Sequence, residues 1–171
     1  RSVSYHGRVT PDSATTSHSQ LSPSRARVVH RIEVWMRSDS LDARGQSILR
    51  TALRMGFDLS LVRSARVYLL QGDVSAAEVE FIAGRLLADP VTERFVIGQS
   101  ESGALSRIVE VHPLPGVMDP AALSVELGIR ELLQRDAVRA STGARFDLSG
   151  PKLSEAQADS LARRLLFNPA I

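Results

Sequence analysis

One helix pattern occurs twice in this sequence, at positions 79 residues apart. The two stretches are 73–91, DVSAAEVEFIAGRLLADPV, and 152–171, KLSEAQADSLARRLLFNPAI. Each begins with the Ser-x-x-Glu/Gln pattern of a capping box, in which two side chains satisfy otherwise unpaired backbone donors. The pairs are Ser75 with Glu78 and Ser154 with Gln157. Each stretch ends at a proline, Pro90 or Pro169, that disfavours a helical residue before it. The sequence therefore predicts two related units in tandem.

The segments around these two helices also recur in the same order. Alternating or apolar runs predict strands at 28–36, 61–70 and 92–97, and then at 107–111 and 138–148. A second amphipathic helix is predicted in each unit between its first two strands. In the first unit Asp39-Ser40 offers an N-cap and Gly56 a helix end, and in the second Asp119 precedes Pro120 at the first helical position.

These elements predict an α+β fold made of two βαβαβ units. We assign 28–98 to the first unit, 99–106 to a linker and 107–171 to the second unit, whose last strand is missing from the sequence given. We expect the polypeptide to continue beyond Ile171, the alternative being that the second unit borrows a strand. Each unit should form an antiparallel sheet with helices on one face. We expect the remaining apolar faces to pack together in an intrachain pseudo-dimer.

Composition narrows the classes of protein that the chain can represent. Residues 1–27 are rich in Ser, Thr and Pro and predict a disordered leader, with a mitochondrial-type presequence as the alternative. No apolar run approaches the roughly 18 residues of a membrane span, so we expect no membrane partner. Cysteine is absent, which excludes disulfides and thiolate metal sites and fits a cytoplasmic protein. A net charge of +2 gives no reason to expect a nucleic-acid partner.

The sequence contains no recognisable catalytic or cofactor motif. The glycines form neither GxGxxG nor a phosphate-binding loop, and no Gly-x-Ser-x-Gly elbow occurs. The four histidines lack metal-ligand spacing. Glu33 and Glu110 recur on the first strands, where they could face solvent or bridge the two units. We therefore predict no catalytic, cofactor-binding or metal-binding residue.

Arginines on the second strand of each unit are the candidate contacts for a partner. The residues are Arg63, Arg66, Arg139 and Arg145. They could line a contact with a protein or a phosphate, and the alternative is a solvated strand face. An RNA-binding role is disfavoured because the strands lack the interleaved aromatic residues on which bases stack.

Short motifs in both units resemble one known family. The second unit contains PGVMDP at 115–120, TGARF at 142–146 and RRLLFNP at 163–169, while the first unit keeps RLLADPV at 85–91 but departs from the other two. In this order the motifs resemble PurS, the small subunit of phosphoribosylformylglycinamidine synthase, and the corresponding N-terminal domain of its large fused forms. The resemblance covers about 28–171, and PurS works as a dimer, which a tandem repeat would reproduce within one chain.

The resemblance implies a role in purine biosynthesis. The complete enzyme converts formylglycinamide ribonucleotide to the amidine with ATP, Mg²⁺ and glutamine, and its synthetase and glutaminase parts carry the reactive groups. None of their motifs occurs here. The resemblance therefore implies a non-catalytic assembly domain of this amidoligase that joins the glutaminase to the synthetase and helps ammonia transfer.

Two other classes of function are compatible with the sequence. A regulatory module built like paired ACT domains would bind a small molecule between the units. A standalone enzyme is the weaker alternative, because no reactive constellation supports it.

Overall fold

The fold is an antiparallel sheet whose strands alternate with short helices. The computed structural model describes residues 28–103, 106–136 and 138–166. The strands are β1 (Val29–Met36), β2 (Leu61–Gly72), β3 (Glu93–Ile97), β4 (Ser106–Val111) and β5 (Val138–Ser149). The helices are α1 (Ala43–Arg54), α2 (Ala76–Ile82), α3 (Pro120–Leu133) and α4 (Glu155–Leu161). A π-helical turn extends α2 at Ala83–Leu87 and α4 at Ala162–Leu166. The predicted leader and the helix stop at Pro169 lie outside the described residues.

The capping boxes of α2 and α4 are confirmed. The Glu78 N–H donates to Ser75 Oγ at 3.3 Å, and the Ser75 N–H donates to Glu78 Oε2 at 2.8 Å. The corresponding distances for Ser154 and Gln157 are 3.2 and 3.0 Å. Both pairs lie within one turn of helix, so the sequence pattern alone was sufficient to predict them.

The predicted N-cap of α1 was wrong, whereas that of α3 is confirmed. Asp39 lies in a short 3₁₀ turn, Asp39–Leu41, and Asp42 is the N-cap of α1. Asp42 accepts hydrogen bonds from the Gly45 N–H at 2.8 Å and from the Ser64 N–H at 2.6 Å. Asp42 therefore satisfies a helix donor and a donor of the adjacent strand β2 together, which Asp39 does not do.

The equivalent N-cap in the second unit makes the same two kinds of contact. Asp119 accepts from the Ala122 N–H and from the Thr142 N–H, each at 2.9 Å. Thr142 lies on β5, as Ser64 lies on β2. The two units therefore share a link between helix and strand in addition to their order of elements.

The two units join edge to edge in one five-stranded sheet of order β3-β1-β2-β5-β4. β2 and β5 pair antiparallel over the full 12 residues of each strand, from Leu61↔Ser149 to Gly72↔Val138. The expected face-to-face packing of two apolar sheet faces was therefore wrong. Pairing along the edge satisfies the backbone groups of β2 and β5, which separate sheets would leave exposed.

The helices cover one face of this sheet, as predicted, and form two apolar clusters with it. One cluster joins α1 and α4 to the sheet through residues such as Ala52, Leu161 and Phe146. The other joins α2 and α3 to the sheet through residues such as Ile82, Ile129 and Ile32. Each cluster contains residues of both units, so neither unit has a core of its own. Each fully buried Leu, Ile or Phe contributes about 1.5–3 kcal/mol to this packing.

Candidate functional site

The face of the sheet opposite the helices carries a cluster of charged side chains. On β1 the apolar core residues Ile32 and Val34 alternate with Arg31, Glu33 and Trp35. Because successive side chains of a strand point to opposite faces, these three residues lie on the helix-free face. The expectation of an apolar second face was therefore wrong.

Glu33 lies at the centre of this cluster and is fully buried. Its carboxylate accepts hydrogen bonds from Arg31 Nη2 at 2.7 Å, from Arg145 Nη1 at 2.9 Å and from the Ser100 hydroxyl at 2.6 Å. The Ser100 N–H and Trp35 Nε1 donate to it at 3.1 and 3.2 Å. These donors compensate the carboxylate for the water that it has lost.

Arg145 is the partner of Glu33 from the second unit. It is also fully buried, and its Nε donates to Asp147 Oδ1 at 2.8 Å. Its guanidinium carbon lies 5.2 Å from the centre of the Trp35 ring, at a distance suited to a cation–π interaction. Arg145 therefore joins the two units within the chain. Its assignment as a partner contact was wrong, because its side chain is fully buried.

A second ion pair crosses between the units beside the first. Arg31 donates to Glu110 at 3.1 and 2.5 Å. Glu110 also lies 3.2 Å from Nε2 of His112. Of the two roles considered for Glu33 and Glu110, the structure shows that they bridge the units.

The position of His112 depends on Gly143 of the neighbouring strand. A Cβ atom at Gly143 would lie 2.4 Å from the imidazole ring, so a larger residue would displace His112. This close contact gives a packing reason for the glycine of the TGARF motif.

The ion pairs shift the pKa values of the acids. Burial of Glu33 acts to raise its pKa, but hydrogen bonds from Ser100, Arg31 and Arg145 outweigh burial and hold the pKa at about 2. Burial of Glu110 also acts to raise its pKa, and hydrogen bonds from Arg31 and His112 lower it overall. Glu33 is therefore ionised at neutral pH and is unsuited to act as a general acid or base.

The segment that connects the units closes over this cluster. β3 and β4 lie at opposite edges of the sheet, so the chain between them must cross the sheet. Ser100 lies on this crossing and contacts both members of the central ion pair. Its N–H and hydroxyl donate to Glu33, and its carbonyl accepts from Arg145 Nη1 at 3.0 Å. The sequence indicated only a flexible linker here and gave no sign of the role of Ser100.

The other three candidate arginines remain at the surface. Arg63 pairs with Asp39 at 2.8 Å, Arg66 with Glu93 at 2.6 Å, and Arg139 with Glu126 at 3.1 Å. Their side chains are 48%, 47% and 80% exposed. The structure does not bring them together in one cluster, and their role as partner contacts stays a prediction.

Neither a metal site nor a membrane span is found in the part of the chain that the structure describes. Among those residues no three His, Asp or Glu side chains are grouped in a way that could hold a metal ion. None of the described helices has the length and apolar character needed to cross a membrane.

The architecture defines a class of small α+β domains in which duplicated strand–helix units share one antiparallel sheet. Within it, residues 29–101 match the family PurS, described as phosphoribosylformylglycinamidine (FGAM) synthase. Residues 29–101 are therefore similar to PurS, as the sequence motifs predicted, and the match links this part of the chain to purine biosynthesis. The match spans the first unit and Ser100, although the second unit carries the clearer motifs. A comparison with curated proteins finds no match.

Proposed function

We propose that this chain is a non-catalytic assembly domain of FGAM synthase that joins the glutaminase to the synthetase. The observation that carries the proposal is the PurS-like domain at 29–101, locked to a second unit by buried ion pairs. A rigid double unit of this kind holds two partner surfaces at a fixed separation, as a bridging element requires, and a fixed separation helps ammonia pass from glutaminase to synthetase.

The chemistry of amide transfer belongs to other parts of the enzyme in this proposal. The sequence has no cysteine to serve as a glutaminase nucleophile and no phosphate-binding loop. ATP, Mg²⁺ and glutamine would therefore be used by the synthetase and glutaminase domains or subunits, in the cytoplasm. The buried charges support a structural role, because Glu33 and Arg145 are each held by several hydrogen bonds.

Arg63 is the strongest candidate for the partner contact. It lines a small cleft together with Trp35, Arg37 and Arg94. Its bond to Asp39 involves two half-exposed side chains, so a partner carboxylate can replace Asp39 at little cost. A partner carboxylate could in the same way replace Glu93 at Arg66 or Glu126 at Arg139.

The test is a binding measurement with the synthetase and glutaminase polypeptides of the same source. Size-exclusion chromatography with light scattering should show a defined complex that contains this chain. Arg63→Ala should weaken the complex up to about fivefold, since an exposed ion pair is worth about 0.2–1 kcal/mol. Arg50→Ala, an exposed arginine on α1, is the matched control and should leave it unchanged.

A chain that binds neither partner contradicts the proposal. If an amino acid then raises its melting temperature, a small-molecule regulatory module becomes the better explanation. Thermal scans with and without each amino acid complete the experiment.

A further inference from the structure

A small cleft next to Trp35 is lined by more arginines than aspartates. Its charged residues are Arg37, Arg63, Arg94, Asp39 and Asp42, which leaves an excess of one positive charge. The cleft has a volume of about 60 Å³. That is several times the roughly 10–15 Å³ that one water molecule needs, and far below the roughly 300–1,000 Å³ of pockets that hold whole ligands. The cleft therefore suits one small anionic group that belongs to a larger molecule.

Both aspartates of the cleft are already bound within the chain. Asp42 is the buried N-cap of α1, and its carboxylate accepts from the Ser64 N–H and hydroxyl, each at 2.6 Å. Asp39 pairs with Arg63 at 2.8 Å. These contacts leave two of the three arginines without an acid of the cleft.

These two arginines, Arg37 and Arg94, are exposed and are held by contacts that do not neutralise their charge. Arg37 Nη2 donates to the Pro90 carbonyl at 3.1 Å. The guanidinium carbon of Arg94 lies 5.8 Å from the centre of the Trp35 ring, within the range of a cation–π interaction. In the part of the chain that the structure describes, neither side chain has a carboxylate oxygen within 4.0 Å. Both are therefore able to pair with an acid from outside the chain.

The second unit folds in the same way without these arginines. It repeats the N-cap aspartate and the strand hydroxyl that donates to it. At the places of Arg37 and Arg63, however, it has Leu114 and Ser141. The duplicated fold therefore does not require the arginines, which favours a role for them in binding.

We propose that this cleft receives a carboxylate side chain of the glutaminase or the synthetase. The carboxylate pairs with Arg37 and Arg94, where it displaces no acid of this chain. Arginine suits this role, because its planar fork can donate two parallel N–H bonds to one carboxylate. A single carboxylate also matches the excess of one positive charge. This inference rests on the proposed assembly function and deepens it by naming the chemistry of the partner and two contact residues beyond Arg63.

The test is calorimetric titration of the 171-residue chain and its variants with the synthetase and glutaminase polypeptides of the same source. Arg37→Ala and Arg94→Ala should each weaken binding about tenfold or more, because truncating an ion pair that is shielded from water costs more than truncating an exposed one. The double variant should lose less than the product of the two factors, because both arginines hold the same carboxylate.

Two further variants separate this contact from general attraction between charges. Arg94→Lys should recover only part of the affinity that Arg94→Ala loses, since lysine keeps the charge without the fork. Arg50→Ala removes the same charge from an exposed position on α1 and should leave the affinity unchanged. Every variant should unfold at the temperature of the natural chain, because all the changes lie at exposed positions.

Three results would overturn the inference. The first is an unchanged affinity of the double variant, which would refute this contact and leave the proposed function intact. The second is equal weakening by Arg50→Ala, which would show attraction by net charge alone. The third is a natural chain that binds neither polypeptide, which would refute the proposed function as well. Stabilisation of that chain against heat by free glutamate, lost in the double variant, would then identify a small-molecule site.

Discussion

The two faces of the sheet hold the units together by different means. On the helix face the units share two apolar clusters, and the contacts repeat approximately between them. On the helix-free face the ion pairs do not repeat, because Arg145 of the second unit has Val67 at its equivalent position in the first. The repeated elements therefore account for the fold, whereas the ion pairs of Arg145 with Glu33 and of Arg31 with Glu110 depend on residues that differ between the units.

Arg145 and Phe146 are adjacent and both fully buried, so they allow the most direct test of this comparison. We expect Phe146→Ala to cost about 3–5 kcal/mol through loss of packing and a cavity. Arg145→Ala should cost a similar 3–5 kcal/mol, because it leaves the buried Asp147 without its ion-pair partner and removes one of the two arginines that pair with Glu33. Urea unfolding at neutral pH measures both free energies.

A second substitution separates the two causes. Adding Asp147→Asn to Arg145→Ala removes the charge that lost its ion-pair partner and should recover part of the loss. The same addition to Phe146→Ala should recover nothing. Equal responses of the two double variants would show that the ion pairs are not a distinct contribution.

Acid should reduce the stability that the ion pairs of the helix-free face contribute, while the apolar packing of the helix face is unaffected. The pKa of Glu33 is about 2 in the folded chain, below the ordinary 4.5, so its ionised form stabilises the fold at any pH above about 4.5. This contribution, roughly 3 kcal/mol, is lost as pH falls from 4.5 towards 2. The difference in unfolding free energy between the natural chain and Glu33→Gln should therefore shrink over that range. A difference that stays constant with pH would contradict the lowered pKa.

A substitution at Ser100 tests whether the segment between β3 and β4 stabilises the buried ion pair of Glu33 and Arg145. Ser100→Ala removes the hydroxyl that donates to Glu33 at 2.6 Å but keeps the backbone contacts. Because hydrogen bonds to charged groups are worth about 1.5–3 kcal/mol, we expect a loss in that range. Ser102→Ala, two residues further along the same connector, serves as the control and should change stability by less than about 0.5 kcal/mol. Similar losses for the two variants would mean that the connector acts only through its backbone.

The sequence predicted one face of the molecule well and the other poorly, for a physical reason. The starts of helices depend on residues one to three positions apart, so Asp119 with Pro120 and Ser75 with Glu78 could be identified directly. The bond between Arg145 and Glu33 joins residues 112 positions apart, and it requires knowing that β2 pairs with β5.

A weaker signal for the charged face was nevertheless present. Arg31 with Glu33 and Arg145 with Asp147 are opposite charges two residues apart on strands, which places each pair on one face. The error at Asp39 had a similar origin, because two aspartates precede α1 and only contact with Ser64 of β2 distinguishes Asp42.

The smallest expected effect lies in the repeated capping boxes, which test how far the units are equivalent. Ser75→Ala and Ser154→Ala each remove one N-cap, and we expect each to cost about 1 kcal/mol. Glu78 of the first box is charged and also pairs with Arg135, whereas Gln157 of the second is neutral. The Ser75 hydroxyl also donates to the Glu78 carboxylate at 2.9 Å, so Ser75→Ala removes a charge-assisted hydrogen bond as well and should be the costlier of the two. High salt should remove that difference and leave the common loss, so two unfolding curves for each variant, at low and high salt, separate the shared cap from the charge that the units do not share.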